Sequence, residues 1–382
     1  MTKPLRNVVI AGYVRSPFTL ANKGALAGVR PDDLAAQVVA ALVERTRVKP
    51  EDIEDLIVGC AFPEAEQGFN VARLIGLHAG LPQSTGGLTV NRFCGSSMQS
   101  VHIAAGQIQL GAGEVFIAAG VESMTRVPMM GFNPLPNPAL QAKVPAAYIA
   151  MGDTAENVAT QWRISRTEQE AFAVRSQQRA SAAAREGHFQ AELVPIRTKS
   201  GTVETDGCLR PDTTATGLAQ LKPAFRTDGV VTAGTSSPLT DGAAALLVCS
   251  ETYAANTGLT PLARIRSVAI AGCAPEIMGI GPVAATRKAL RRAELEMSAL
   301  DVVELNEAFA SQALACVRDL GIREETLNID GGAIALGHPL GATGARLVGK
   351  AASLLQRAQG RYALATQCIG GGQGIATILE RV

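Results

Sequence analysis

Two cysteines, one histidine and an asparagine–glutamate pair stand where apolar strands give way to helices or glycines, positions from which a side chain can reach a substrate. The segment Asn91-Arg92-Phe93-Cys94-Gly95-Ser96-Ser97-Met98 follows the apolar strand Leu88-Thr89-Val90 and precedes a helix opened by Gly95. Helix N-terminal amides favour a thiolate, and a tight strand-to-helix turn lets the sulfur project from the edge of a sheet. The plain alternative is a small buried hydrophobe. In Gly331-Gly332-Ala333-Ile334-Ala335-Leu336-Gly337-His338-Pro339-Leu340-Gly341 the histidine is fixed between glycine and proline before a helix. Proline restricts the backbone and the glycines admit a close neighbour, while a histidine in an exposed turn has little packing purpose. No Gly-Lys-Ser/Thr ending follows, which excludes a phosphate loop.

A second thiol ends the strand Tyr362 to Thr366 in Gln367-Cys368-Ile369-Gly370-Gly371-Gly372-Gln373-Gly374. Consecutive glycines leave amide N–H groups uncovered, as an oxyanion hole requires, and the spacing of a dinucleotide fingerprint is absent. In Glu304-Leu305-Asn306-Glu307-Ala308-Phe309-Ala310, Asn306 either caps the next helix or holds a water or carbonyl oxygen near the other groups. Cys60, Cys208, Cys249, Cys273 and Cys316 read as structural. His78, His102 and His188 have no metal-ligand spacing, and no metal is expected.

The elements that must position these groups alternate strand and helix, which argues an α/β fold. Strand Val8 to Val14 leads to a helix from about Asp32, capped by Asp32 or Asp33, with Leu34, Val38, Val39 and Leu42 as its apolar stripe. The runs Asp55-Leu56-Ile57-Val58 and Val115 to Ala119 are continuously apolar, so both faces should be covered. The order of elements repeats. Helix Leu34 to Arg45 feeding strand 55–58 is echoed by helix Val283 to Arg292 feeding Asp301 to Leu305; the glycine-opened helix from Gly95 feeding Val115 to Ala119 is echoed by one from Gly341 feeding Tyr362 to Thr366. Between the halves, about 122 to 240, lies a loop-rich insertion with a proline-dense opening and two helices, near Asp153 to Trp162 and Thr167 to Glu186, the second opened by a Thr167/Glu170 capping box. Such inserts often carry binding residues.

Composition narrows the classes. The chain has 382 residues, 47% hydrophobic and 4% aromatic, with 35 basic against 34 acidic side chains. No global field attracts nucleic acid or an anionic membrane. No apolar run approaches the roughly 18–20 residues that span a bilayer, no signal peptide is visible, and seven cysteines without a Cys-x-x-Cys pair fit neither a disulfide framework nor a zinc site. A cytoplasmic protein, or one in a reducing organelle, is expected. A serine hydrolase is excluded by the missing Gly-x-Ser-x-Gly elbow.

Together, Asn-Arg-Phe-Cys-Gly-Ser-Ser-Met, Asn-Glu-Ala-Phe-Ala, Gly-Gly-Ala-Ile-Ala-Leu-Gly-His-Pro-Leu-Gly-Ala and Gln-Cys-Ile-Gly-Gly-Gly, in that order, closely resemble the thiolase family. The resemblance implies a thiolase fold: two similar βαβαβαββ halves in an α/β/α/β/α layering, residues 1–255 (with the loop insertion at about 122–240) and 258–382, and an active site between them. It implies Cys94 as the acylated nucleophile, His338 as its activator and Cys368 as acid/base. Asn306, through a water, and His338 would form one oxyanion hole, and the amides of Cys94 and Gly370 the other. Ser237, Phe309, Met278 and Arg210 match positions lining the coenzyme A site. The implied reaction is coenzyme A-dependent thiolysis of 3-oxoacyl-coenzyme A to acetyl-coenzyme A and a shortened acyl-coenzyme A, as in fatty-acid β-oxidation. Coenzyme A is a co-substrate, and no permanent cofactor is implied. Val127-Pro128-Met129 stands where biosynthetic short-chain members carry alanine, proline and histidine, which favours the degradative type; Asp330 replaces a usual asparagine. The alternatives are an acetoacetyl-coenzyme A-forming acetyltransferase, a ketoacyl synthase, which commonly lacks the second catalytic cysteine, and a non-catalytic lipid-binding relative, which would have lost one of Cys94, His338 or Cys368. Family habit implies a homodimer or homotetramer and leaves open a hydratase/dehydrogenase partner chain.

Overall fold

The computed structural model describes residues 6–382. Its main sheet runs through nine strands: β1 (Val8–Arg15), β2 (Asp55–Gly59), β3 (Gly86–Val90), β4 (Val115–Ser123), β5 (Thr240–Ser250), β6 (Ala263–Gly272), β7 (Val302–Leu305), β8 (Tyr362–Ile369) and β9 (Gln373–Glu380). Their order is β7-β8-β9-β6-β1-β5-β4-β2-β3, with the short strand Thr19–Leu20 pairing with β5. The helices between them are α1 (Pro31–Thr46), α2 (Val71–His78) and α3 (Ser96–Leu110), then α4 (Met151–Gln161) and α5 (Arg166–Arg185), then α6 (Gly281–Ala293), α7 (Ala310–Leu320) and α8 (Leu340–Ala358).

The repeat in the sequence becomes a repeat in pairing. In the first set, β3 and β4 flank β2 in parallel, β5 runs antiparallel to β4, and β1 antiparallel to β5. In the second, β7 pairs β8 in parallel with an isolated parallel bridge, Val303 to Leu327, on its other side; β9 is antiparallel to β8 and β6 to β9. Among the described residues the strands of the two sets pair only between β1 and β6, where Val9 faces Arg264 and Ile10 faces Ala263.

Strand alternation divides the interior into three cores, because successive side chains point to opposite faces. Val115, Ile117 and Ala119 of β4 pack with Leu34, Val38 and Leu42 of α1. Phe116 and Ala118, one residue out of step, join Met98 and Val101 of α3 and Leu347 and Val348 of α8. Ala363 and Ala365 of β8 face that same central core, whereas Leu364 faces a third built on α6 and α7. The two strand sets of this sheet, each covered on both faces, thus give five layers, with α3 and α8 in the middle. Helix α8 is buried continuously from Leu340 to Ala352, as an apolar or small surface allows, and its two buried cations there are paired, Arg346 with Glu304 and Lys350 with Glu192 and Asp330.

That packing is close. A methyl group added at Gly120 of β4 would lie 2.2 Å from the carbonyl oxygen of Gly341 at the start of α8. Backbone on both sides cannot yield as a flexible side chain would, so Gly120→Ala should destabilise by at least the roughly 1–3 kcal/mol of an overpacked core. A denaturant midpoint unchanged from wild type would show that the two elements separate freely.

Three local expectations are corrected. The residue preceding α1 is Arg30, without a side-chain cap; Pro31 takes the first helical position, and Asp32 and Asp33 lie in the first turn. Proline there presets φ and lacks the N–H that a cap would satisfy. The capping box of α5 is Ser165 with Glu168, two residues before Thr167 and Glu170. The proline-dense opening of the insert also holds one short helix, Pro138–Lys143, capped by Asn137.

Candidate active site

Cys94 sits at the tip of a turn between β3 and α3. Phe93 is held at φ 43, a left-handed conformation that costs a bulky residue energy and persists only when the surroundings enforce it. They do: Phe93 N–H donates to Asn91 Oδ1 (2.9 Å), Gly95 N–H to Arg92 O (2.9 Å) and Arg92 N–H to Ser96 Oγ (2.9 Å). The second strand set supplies the rest. Gln367 Nε2 donates to the Cys94 carbonyl oxygen, and Ile369 Cδ1 lies 2.6 Å from where a Cβ on Gly95 would stand. Gln367 and Ile369 share one face of β8, so that face is the clamp on the turn.

His338 is pinned from three directions. Its N–H donates to Thr240 Oγ1 (3.0 Å), Nδ1 lies 2.6 Å from Thr343 Oγ1, and Nε2 lies 3.3 Å from Asn306 Nδ2. Thr343 gives its own proton to Pro339 O (2.9 Å), so Nδ1 carries the hydrogen and donates to Thr343, which leaves the Nε2 lone pair free to accept. This tautomer is inferred from the hydrogen-bond pattern. The expected exposed turn is not what forms: His338 is 4% exposed, because the insert's end covers it, with Thr240 and Cys208 both against Gly337.

Asn306 is not a helix cap. The helix α7 begins four residues later at Ala310, since Phe309 is still extended in a bridge with Ser236. The Asn306 side chain is free to bond His338, and its Oδ1 is buried without a partner. An orphan acceptor of this kind is costly unless water or a ligand satisfies it. Its neighbour Glu307 anchors the glycine loop ahead of His338, accepting from Ser176 Oγ (2.6 Å), Asn328 Nδ2 (2.7 Å) and the Ile334 N–H (3.2 Å).

Cys94 and Gly370 line one cavity of about 110 Å³ together with Phe93 and Leu340, closed by Met129 and Tyr148 of the insert. Leu340 is two residues past His338. Burial pushes the Cys94 thiol up to about 11, against the pull of the Gly370 amide and its own. The helix terminus therefore does not make a resting thiolate, contrary to the expectation from sequence; desolvation wins. Burial pushes Cys368 well above the usual thiol range, and a charge on Cys94 would push it further, so the two sulfurs sense one another. Burial, reinforced by Arg346, pushes His338 down to about 3. At neutral pH the resting groups are a thiol and a neutral imidazole. Alkylation of the resting protein by iodoacetamide should then accelerate about tenfold per pH unit from 7 to 9, following the thiolate fraction. A rate already level below pH 8 would indicate a preformed thiolate–imidazolium pair instead.

Ser237 donates from N–H and Oγ to Ala308 O (3.0 and 3.2 Å). Phe309, Met278 and Cys368 form one apolar cluster, and Phe309 meets Phe225 edge-on at 5.9 Å. Arg210 stands apart from that cluster, on a crevice of about 20 Å³ with Cys208 and Ser236. Asp330 is committed to structure: burial would raise its pKa, but Arg357 and Lys350 outweigh that and hold it at about 2. Gln367, Thr343 and Glu122 escaped sequence reading. Glu122 accepts from Gly341 N–H (2.8 Å) and Ala61 N–H (2.8 Å), tying the start of α8 to the end of β2. The signal for Thr343 and Gln367 was adjacency to the motifs themselves.

Comparisons with known proteins agree along the whole chain. Residues 8–252 match the family model described as the thiolase N-terminal domain, and 259–381 the thiolase C-terminal domain. A 3-ketoacyl-CoA thiolase of Bacillus subtilis is 48% identical over 389 residues, covering 98% of this chain and 100% of that protein. One from Shewanella frigidimarina is also 48% identical, over 99% and 100%. The crystal structure of human mitochondrial 3-ketoacyl-CoA thiolase superposes with a TM-score of 0.92 at 39% identity, covering 99% of both chains. The same human protein in complex with CoA gives 0.91 at 39% identity, covering 99% of this chain and 98% of that one.

Proposed function

The chain belongs to the thiolase family, and from that premise we propose that its two thiols and one imidazole carry out coenzyme A-dependent thiolysis of 3-oxoacyl-coenzyme A. The observation that carries the reading is the meeting of parts far apart in sequence: Cys94 beside the Gly370 amide, a Cys368 that senses Cys94, and His338 bonded to a half-satisfied Asn306.

In the first half-reaction Nε2 of His338 takes the Cys94 proton and the sulfur attacks the 3-oxo carbon. The bond between carbons 2 and 3 then breaks, its electron pair passes into the enolate of acetyl-coenzyme A, and Cys368 protonates carbon 2. In the second, the Cys368 thiolate takes the proton of incoming coenzyme A. The coenzyme A thiolate attacks the acyl group on Cys94, which leaves as thiolate and recovers its proton from His338. Negative charge develops on a carbonyl oxygen in each half. The amides of Cys94 and Gly370 face one such oxygen, and His338 with an Asn306-held water the other. Each preorganised donor is worth about 3–4 kcal/mol of barrier. Ser237, Phe309, Met278 and Arg210 would receive the coenzyme A moiety.

Met129, Met130 and Tyr148 give the Cys94 cavity an apolar wall, which favours an acyl chain longer than acetyl over the acetoacetyl-forming alternative. Thiolysis of 3-oxoacyl-coenzyme A substrates of graded length, followed by loss of enolate absorbance, tests this. Turnover of at least one chain longer than four carbons is expected, and none with any substrate would leave only a binding protein.

We further read residues 1–255 and 258–382 as the two halves, an oligomer as the working form and the cytoplasm as its place. β3 is a sheet edge whose Leu88 is exposed, and Phe69 beside α2 is 94% exposed, which supports a second copy against that edge. Among the described residues no helix is long and apolar enough to cross a membrane.

A further inference from the structure

A roomier concavity than the one at Cys94 lies elsewhere. A groove of about 630 Å³ opens between β1, the end of α1, residues 188–192, the 258–262 connection and the last turns of α8. Lys350 and Arg357 on its wall lie 10 and 17 residues past the start of α8, so roughly 15–25 Å from the His338 end at about 1.5 Å per residue.

The groove carries unspent positive charge. Beneath it, Asp206, Glu192 and Asp330 are matched by Arg15, Lys350 and Arg357: Arg15 reaches Glu192 (2.7 Å) and Asp206 (2.6 Å), Lys350 reaches Glu192 (3.1 Å) and Asp330 (2.7 Å), and Arg357 pairs with Asp330. Arg45 and Arg47 are then left over. Arg45 donates only to the carbonyls of Ala191 (2.9 Å) and Leu193 (2.6 Å), and neither arginine meets a carboxylate among the described residues. The floor also holds an orphan: Tyr13 is 7% exposed, lines the groove, and its hydroxyl has no hydrogen-bond partner. Leu259 and Leu262, both partly exposed, supply an apolar wall. A buried donor left empty costs free energy, and a concave, partly apolar space of this size suits a small organic molecule.

We propose that this groove is a second binding site, for a small organic oxyanion whose carboxylate or phosphate meets Arg45, Arg47 and the Tyr13 hydroxyl while its apolar body lies along Leu259 and Leu262. It owes nothing to the roles given to Cys94 and His338. Arg45 and Thr46 sit on α1 and Lys350 on α8, so occupancy would tie the outer helix of the first strand set to the central one.

The test is isothermal titration of the full-length protein at low ionic strength with two probes, octanoate and inorganic pyrophosphate. Saturable one-to-one binding of at least one is expected, weakened at least tenfold in R45Q/R47Q and by added salt, with thiolysis in the absence of probe unchanged. Octanoate alone would identify a fatty carboxylate, pyrophosphate alone a phosphorylated metabolite, and both a site that reads the oxyanion itself. Tyr13→Phe should weaken probe binding while raising the Tm of the probe-free protein, because it removes an unpaired buried hydroxyl. A purely structural tyrosine would lower the Tm. Failure of both probes to bind, undiminished binding in R45Q/R47Q, or a lowered Tm in Tyr13→Phe would overturn the proposal.

Discussion

Cys94→Ala is expected to lose thiolysis by a factor on the order of 10⁴ or more, the scale on which removing a covalent nucleophile from a preorganised site acts. The fold should survive. The clamp on this turn reads backbone, through Gln367 to the Cys94 carbonyl and Ile369 against Gly95, and none of it involves the sulfur. The deleted atom borders a cavity already there, so the loss of stability should stay near 1 kcal/mol. Acyl-coenzyme A incubated with wild type should add one acyl group to the peptide containing residue 94, and none in the variant. Labelling at another thiol, or a variant retaining a tenth of wild-type turnover, would remove Cys94 from the nucleophile's role.

His338→Ala comes second, with an expected loss of about 10²–10⁴ in kcat, the range for a positioned general base. It removes the proposed acceptor for the Cys94 proton and the partner of Asn306 Nδ2 at once. Because burial holds the ring near 3, the imidazole is already neutral throughout the physiological range, and its protonation limits activity only as pH falls toward that value. The variant should therefore lose rate without moving the acid side of the profile above pH 5. It should also recover part of that rate as pH rises toward the Cys94 value of about 11, where hydroxide does the base's work. A flat, pH-independent loss would point to a purely structural histidine.

Much of this was legible in the sequence where the signal is local. Continuous apolar runs at 55–58 and 115–119 gave strands covered on both faces, and glycine-opened helices after residues 94 and 340 gave the two central helices. The order of elements gave the repeat, since each supersecondary unit imposes its own period. The rest was decided by distant chain. The sequence left Asn306 open between a cap and a site residue, and a bridge between Phe309 and Ser236, which delays the helix, removes the cap. His338 looked exposed until Thr240, nearly a hundred residues away in the chain, closed over it. Cys94 carried the helix-terminus signature of a thiolate, yet how dry its surroundings are is fixed by β8 and the insert. Gln367 had only its adjacency to Cys368 as a signal, because a polar residue in an apolar strand shows neither its face nor its partner.

The Cys94 turn and the His338 turn occupy matching positions in the two repeats, each at the head of a central helix, α3 in one and α8 in the other. Two identical chains related by a dyad could only have presented the same residue twice to that meeting point. In the proposed mechanism covalent linkage lets one arm serve as nucleophile and the other as its base, so the catalytic asymmetry would be a dividend of having both copies on a single polypeptide.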